Sequence, residues 1–151
     1  MFELSRRSLD RLERVDPRLQ DVVRLAITKT DVDFGVICGM RTIEEQRLLV
    51  AKGASQTMKS RHLEGKAVDL MAYIGPRASW EISVYDEVAD SIAASAKELG
   101  IDGVVWGAAW TVPDIADFGG TMEHAMLSYV DTRRSQARRP FIDGPHFQLS
   151  D

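Results

Sequence analysis

Apolar residues recur on one helical face from Leu19 through Val22, Val23 and Ala26 to Ile27, and Asp16-Pro17 stands immediately before them. An aspartate cap followed by proline at the first helical position predicts a helix start there, with the apolar face turned to the core. The period then changes. Asp33-Phe34-Gly35-Val36-Ile37-Cys38-Gly39 is short, β-branched and glycine-bounded, which predicts a buried strand. Thr42-Ile43-Glu44-Glu45 has the spacing of a capping box, and Leu48 and Leu49 carry that helix to a stop at Gly53. Arg41 falls in the strand-to-helix junction.

Ala54 to Lys59 is small and polar, hence a loop, and Ala67 to Tyr73 reads as a second strand with Asp69 inside it. Val84, Val88, Ile92, Ser95 and Leu99 lie at helical spacing between about Ser83 and Leu99, with Gly100 as the stop. Ile101 to Trp106 suits a strand, 111 to 120 a loop, Met122 to Tyr129 a short helix and Phe147 to Leu149 a closing strand. Helices and strands mix without a regular strand-helix-strand repeat. The expected fold class is therefore α+β with a small, largely antiparallel sheet.

A chain of 151 residues that is 44% hydrophobic can bury one real core, so a single domain over 1–151 is expected. A formal charge of −4 gives no electrostatic ground for nucleic-acid binding. Arg133, Arg134, Arg138 and Arg139 form the one local basic cluster and read as solvated surface. No stretch approaches membrane-spanning length, and the opening MFELSRRSLDRLERVD lacks the continuous apolar run of a signal peptide, so synthesis in the cytoplasm is expected. The lone Cys38 excludes an internal disulfide and sits in the apolar run Val36-Ile37-Cys38, where a buried, inert thiol is expected.

The chemistry gathers around Asp69. A carboxylate inside the apolar run Val68-Asp69-Leu70 costs several kcal/mol unless it is paired or coordinated. His62 precedes the tight turn implied by Glu64-Gly65-Lys66, so the chain can fold back and set imidazole beside carboxylate. His146, in Asp143-Gly144-Pro145-His146, offers a third donor at a strand entrance. Two histidines and one carboxylate without thiolate make the ligand set of a catalytic zinc, a Lewis acid that polarises carbonyls and acidifies water. Asp143, three residues before His146, can serve as the proton shuttle, and Arg41 can neutralise an oxyanion. Taken alone, His62 and Asp69 read by default as a surface histidine and an ion-paired aspartate, Asp143 suits the first residue of a turn, and His124 reads as structural or exposed.

The surround adds weight. Ser60-Arg61-His62-Leu63-Glu64-Gly65-Lys66-Ala67-Val68-Asp69 resembles the S-x-H-x-x-G-x-A-x-D motif of zinc peptidases that include D-Ala-D-Ala carboxypeptidases, vancomycin-resistance dipeptidases and phage L-alanyl-D-glutamate endopeptidases. Asp143 to His146 resembles their second motif, and Gly39-Met40-Arg41-Thr42 their G-x-R-[ST] stretch. The likeness extends through Ser5-Arg6-Arg7-Ser8 and Asp33-Phe34, over most of the chain. It implies the D-Ala-D-Ala metallopeptidase/hedgehog type of fold and one zinc per chain on His62, Asp69 and His146. It also implies Asp143 as acid/base, Arg41 as stabiliser of the bound carbonyl, and Ser60 in the substrate site.

The phage endolysin branch fits best, because it is short, has this N-terminal helix and uses Asp where the dipeptidases use Glu. That branch implies a monomer that cuts the L-Ala-D-Glu bond of peptidoglycan stem peptides and reaches the wall through a holin pore. A D-Ala-D-Ala carboxypeptidase or dipeptidase, and a non-catalytic zinc-stabilised binding module, are the competing readings. The chain departs from many relatives at Ala109, where they carry Asp, and over 111 to 140, a longer and less familiar segment.

Overall fold

The computed structural model describes residues 1–151. Helix α1 (Arg6–Leu12) is capped by the Ser5 hydroxyl, and α2 (Pro17–Lys29) by the Asp16 carboxylate with proline in its first turn. The expected residues Leu19, Val22, Val23, Ala26 and Ile27 are the buried face of α2. Burying each of the larger ones contributes about 1.5–3 kcal/mol. Strand β1 (Asp33–Cys38), helix α3 (Ile43–Ala51), strands β2 (Ala67–Ile74) and β3 (Arg77–Ser79), and helix α4 (Ile82–Leu99) follow. After them come β4 (Val104–Trp106), α5 (Met122–Ser135) and β5 (His146–Leu149). Short 3₁₀ turns cover Arg61–Glu64 and Ile115–Asp117.

All strand pairs are antiparallel, in the order β1-β2-β5-β4 with β3 also paired to β2. The fold is α+β with a small antiparallel sheet, as the mixed pattern predicts. One sheet face, carrying Phe34, Val36, Val68, Leu70, Ala72, Phe147 and Leu149, joins a core of 29 buried apolar residues with α2, α4 and α5. Because strand side chains alternate, Asp69 lies on the opposite face from Val68 and Leu70, and His146 stands directly across from it in the β2–β5 register.

Several elements differ from the reading of periodicity. Helix α1 and the β2–β3 hairpin carry too few residues to register as a period. Helix α5 runs on to Ser135 rather than ending at Tyr129. Leu48 of α3 is exposed and the one buried residue of that helix is Gln46, while Leu99 of α4 is exposed and Tyr85 takes the inward place.

Cys38 is corrected as well. It is half-buried rather than in the core, because β1 bulges between Val36, opposite Leu70, and Cys38, opposite Asp69. Inserting Ile37 shifts the parity by one, so Cys38 leaves the Phe34-Val36 face and joins Asp69 on the other.

The outer side of β1 is covered by α1. Ser8 Oγ accepts from the Val36 amide at 2.9 Å, and Arg11 Nη1 donates to the Val36 carbonyl at 2.9 Å. Gly39 follows with the Arg11 carbonyl so close that a Cβ would lie 2.1 Å from its oxygen. Only glycine fits there.

Candidate metal centre

Four segments converge on Asp69. Ser60 caps the 3₁₀ turn through the His62 amide (3.2 Å), and the turn closes on Gly65 at φ +69°, a left-handed position suited to glycine. That geometry delivers His62, 3% exposed, to the sheet face with Nε2 3.3 Å from Asp69 Oδ2. The register of β5 delivers His146, whose Nδ1 lies 3.1 Å from Asp69 Oδ1. The two rings stand 5.2 Å apart, edge to face.

Each ring is oriented from behind. His62 Nδ1 lies 2.8 Å from the Gly39 carbonyl, and a carbonyl can only accept, so Nδ1 carries the proton and Nε2 is free to turn its lone pair inward. His146 is placed the other way round: Nε2 lies 2.9 Å from Gln148 Oε1, leaving Nδ1 to face the centre. Outer partners that fix the tautomer and tilt of an imidazole are what metal-ligating histidines require.

Burial disfavours charge on both His62 and Asp69, yet their mutual contact overrides it. Hydrogen bonds from His146 and His62 hold the Asp69 carboxyl well below the usual carboxylate range, and Asp69 with Cys38 holds the His62 imidazole up at about 10. Positive charge is thus favoured at the middle of the cluster, carried by a proton where no cation is bound. The donor set of two imidazole nitrogens and one carboxylate fits a divalent transition metal.

Donor atoms within 4.8 Å of one another form two groups that share Asp69, one with Cys38 and His62 and the other with His146 and Asp143. The Asp143 segment is pinned: the Asp143 amide donates to the Gly107 carbonyl (2.8 Å), the His146 amide to the Asp143 carbonyl (3.1 Å), and Trp106 Nε1 to the Gly144 carbonyl (2.7 Å). Burial, reinforced by the Asp69 charge, raises the Asp143 carboxyl above its ordinary value, with His146 and His62 opposing.

Arg41 closes the other side. Nη2 lies 3.8 Å from Asp69 Oδ2 and donates to Cys38 Sγ (3.3 Å), and Nη1 donates to Gln46 Oε1 (2.7 Å) and approaches Ser60 Oγ at 3.4 Å. Every sequence-predicted site residue, Arg41, Ser60, His62, Asp69, Asp143 and His146, therefore falls in one cluster. His124 is exposed on α5, and Glu64 is on the surface, 3.2 Å from Arg61.

Periodicity missed four neighbours. Cys38 groups with His62 and Asp69 within 4.8 Å. Gln46, fully buried and held by Ser55 and Thr57, orients Arg41. Gln148 orients His146, and the i, i+2 alternation of a strand places both on one face. Trp110 tilts over His146 at 5.5 Å and stacks on Phe141 at 6.4 Å.

Comparison with known proteins gives a consistent set. A family model described as phage L-alanyl-D-glutamate peptidase matches residues 1–150. The L-alanyl-D-glutamate peptidase of Escherichia phage T5 is 32% identical over 113 residues, covering 72% of this chain and 82% of that one. The enzyme of the same name from Listeria phage A118 is 39% identical over 72 residues, 48% of this chain and 24% of its own longer one. The crystal structure of Serratia marcescens L-Ala D-Glu endopeptidase ChiX superposes with a TM-score of 0.70 at 35% identity, covering 96% of this chain and 87% of that one.

Proposed function

The chain belongs to the phage L-alanyl-D-glutamate peptidase family, and from that premise we propose that it is a zinc-dependent endolysin cutting the L-Ala-D-Glu bond of peptidoglycan stem peptides. It is a peptidase. The observation that carries the zinc reading is the convergence of His62 Nε2 and His146 Nδ1 on the two oxygens of Asp69, at 3.3 and 3.1 Å, with each imidazole held from behind.

His62, Asp69 and His146 would hold one zinc per chain. Zinc supplies Lewis acidity, which polarises a carbonyl and makes water a nucleophile near neutral pH. The protein's own groups handle the protons and the substrate. Asp143, with a carboxyl already biased towards holding a proton, takes one from the attacking water and returns it to the departing amine. Arg41, locked by Gln46 and set beside Asp69, faces the carbonyl oxygen as negative charge develops there. Ser60 keeps both His62 and the Arg41 guanidinium in place and borders the substrate. Trp110 covers His146 on one side.

The reading extends to a single monomeric peptidase domain over 1–151 that is made in the host cytoplasm and meets the wall through a holin pore. No helix is long and apolar enough to cross a membrane. Mass spectrometry of muropeptides released from purified sacculi tests the bond and the metal together. Products ending at L-Ala, with partner peptides starting at D-Glu, are expected, and chelator should abolish them. Release of terminal D-Ala instead would make the protein a carboxypeptidase, and chelator-resistant cleavage would remove zinc from the reaction.

A further inference from the structure

Next to Asp143 the chain leaves a cavity of about 270 Å³, bounded by Trp80, the first turn of α4 and the segment from Ile142 to Pro145. Its walls are the side chains of Trp80, Ile82, Tyr85, Ile142 and Pro145, and Asp143 is its one charged residue. Trp80 is 66% exposed and Ile142 42% exposed, so two large apolar groups face solvent beside the proposed acid/base. The Tyr85 hydroxyl is committed elsewhere, accepting from the Ala72 amide (3.2 Å) and donating to the Ser79 carbonyl (2.8 Å). The groove is also preformed: a Cβ on Gly144 would come within 3.0 Å of Ile82 and 3.2 Å of Tyr85, so this segment rests directly on α4.

The bond of the proposed function is chemically lopsided. Its glutamyl side carries carboxylate. Its alanyl side carries none and continues, in a cell wall, into the lactyl ether of an N-acetylated hexose. A groove whose one carboxyl is Asp143 and which has no Lys, Arg or His in its lining offers no cation to hold the acidic half. An open indole face beside aliphatic walls instead suits the C–H face of a sugar ring and its lactyl methyl.

We propose that the Trp80–Ile142 groove is the subsite for the glycan-linked, alanyl half of the substrate, with Trp80 as the stacking platform that sets the direction in which the stem peptide lies across the metal centre. This rests on the L-Ala-D-Glu reading. It makes the protein selective for stem peptides still attached to the glycan strand over peptides already released from it.

The test compares kcat/KM on a disaccharide-bearing muropeptide and on the same peptide with its L-Ala merely N-acetylated. The intact chain should prefer the muropeptide by about tenfold, the worth of one good aromatic contact. Trp80→Ala should bring that ratio to about one, chiefly through KM on the muropeptide, and Trp80→Phe should keep most of the preference because it keeps an aromatic face. Because Trp80 is largely exposed, loss of the fold is not expected, and unchanged zinc content and circular dichroism check this. Equal activity of the intact chain on both substrates, or an undiminished ratio in Trp80→Ala, overturns the subsite. A failure of the bond assignment shows separately, as products that do not begin with D-Glu.

Discussion

At the scale of single residues, the centre is built from pairs in which one partner binds and another aims. His62 leans on the Gly39 carbonyl, His146 on Gln148, and Arg41 on Gln46. His146→Ala should leave no bound zinc by metal analysis. Since metal-binding energy is partly folding energy, chelator should lower the melting temperature of the parent protein and leave that of the variant unmoved. Full zinc in the variant would contradict the ligand set. Asp143→Asn keeps the turn and the position of His146 but removes the group that carries the proton. Zinc should remain while kcat falls about a hundred- to ten-thousandfold, and turnover at the parent rate would move the shuttle to another residue.

One further residue reports on charge between helices α4 and α5. Burial together with Glu87, Glu123 and Asp90 raises the Asp86 carboxyl to about 6. A raised acid binds its proton more tightly folded than unfolded, so it costs stability above pH 6 and the cost fades as pH falls towards 4. Water screens much of it. Asp86→Asn should therefore stabilise at pH 7.5 by about 0.5–1 kcal/mol and by nothing measurable at pH 4, as denaturant melts at the two pH values would read.

Among the elements, helix α5 ends on an unusual residue. After its cap at Gln136, Ala137 adopts φ +56°, and the amides of Ala137 and Arg138 turn back onto the carbonyls of Arg134 (3.0 Å) and Arg133 (2.8 Å). Glycine is the usual occupant of such a helix end, and a left-handed alanine costs about 1–2 kcal/mol. Part of the gain from glycine is lost to the freer unfolded chain. Ala137→Gly should accordingly stabilise by about 0.5–1 kcal/mol in equilibrium unfolding, and a loss of stability would mean the turn is not strained.

The elements also show what a sequence can and cannot display. Asp69 was legible because a charge inside an apolar strand demands a partner, and α2 because Asp16-Pro17 and five apolar residues agree. Gln46 and Gln148 left no such mark, since a neutral amide is unremarkable on a helix or strand until its partner is known. Cys38 misled for a different reason: one inserted residue in β1 reverses which face every following side chain takes, and alternation read from Phe34 and Val36 carries no warning of it. Likewise α3 has a polar inner face, so its leucines pointed the wrong way.

For the molecule as a whole, the sheet separates two tasks. One face is sealed into the apolar core and the other carries the histidines and carboxylates. The sheet also has an outer boundary at β1. Unpaired strand amides at such a boundary form a template on which a second copy can grow. Here Ser8 and Arg11 occupy the Val36 amide and carbonyl, so α1 acts as a guard against self-association as well as a support for the Gly39 carbonyl behind His62. Removing residues 1–12 should produce more dimers and larger species by light scattering than the full chain shows at the same concentration. Under the proposed function, a lysin held in a crowded cytoplasm until its release would gain from that guard, because each copy would keep its strand edge to itself through the whole wait.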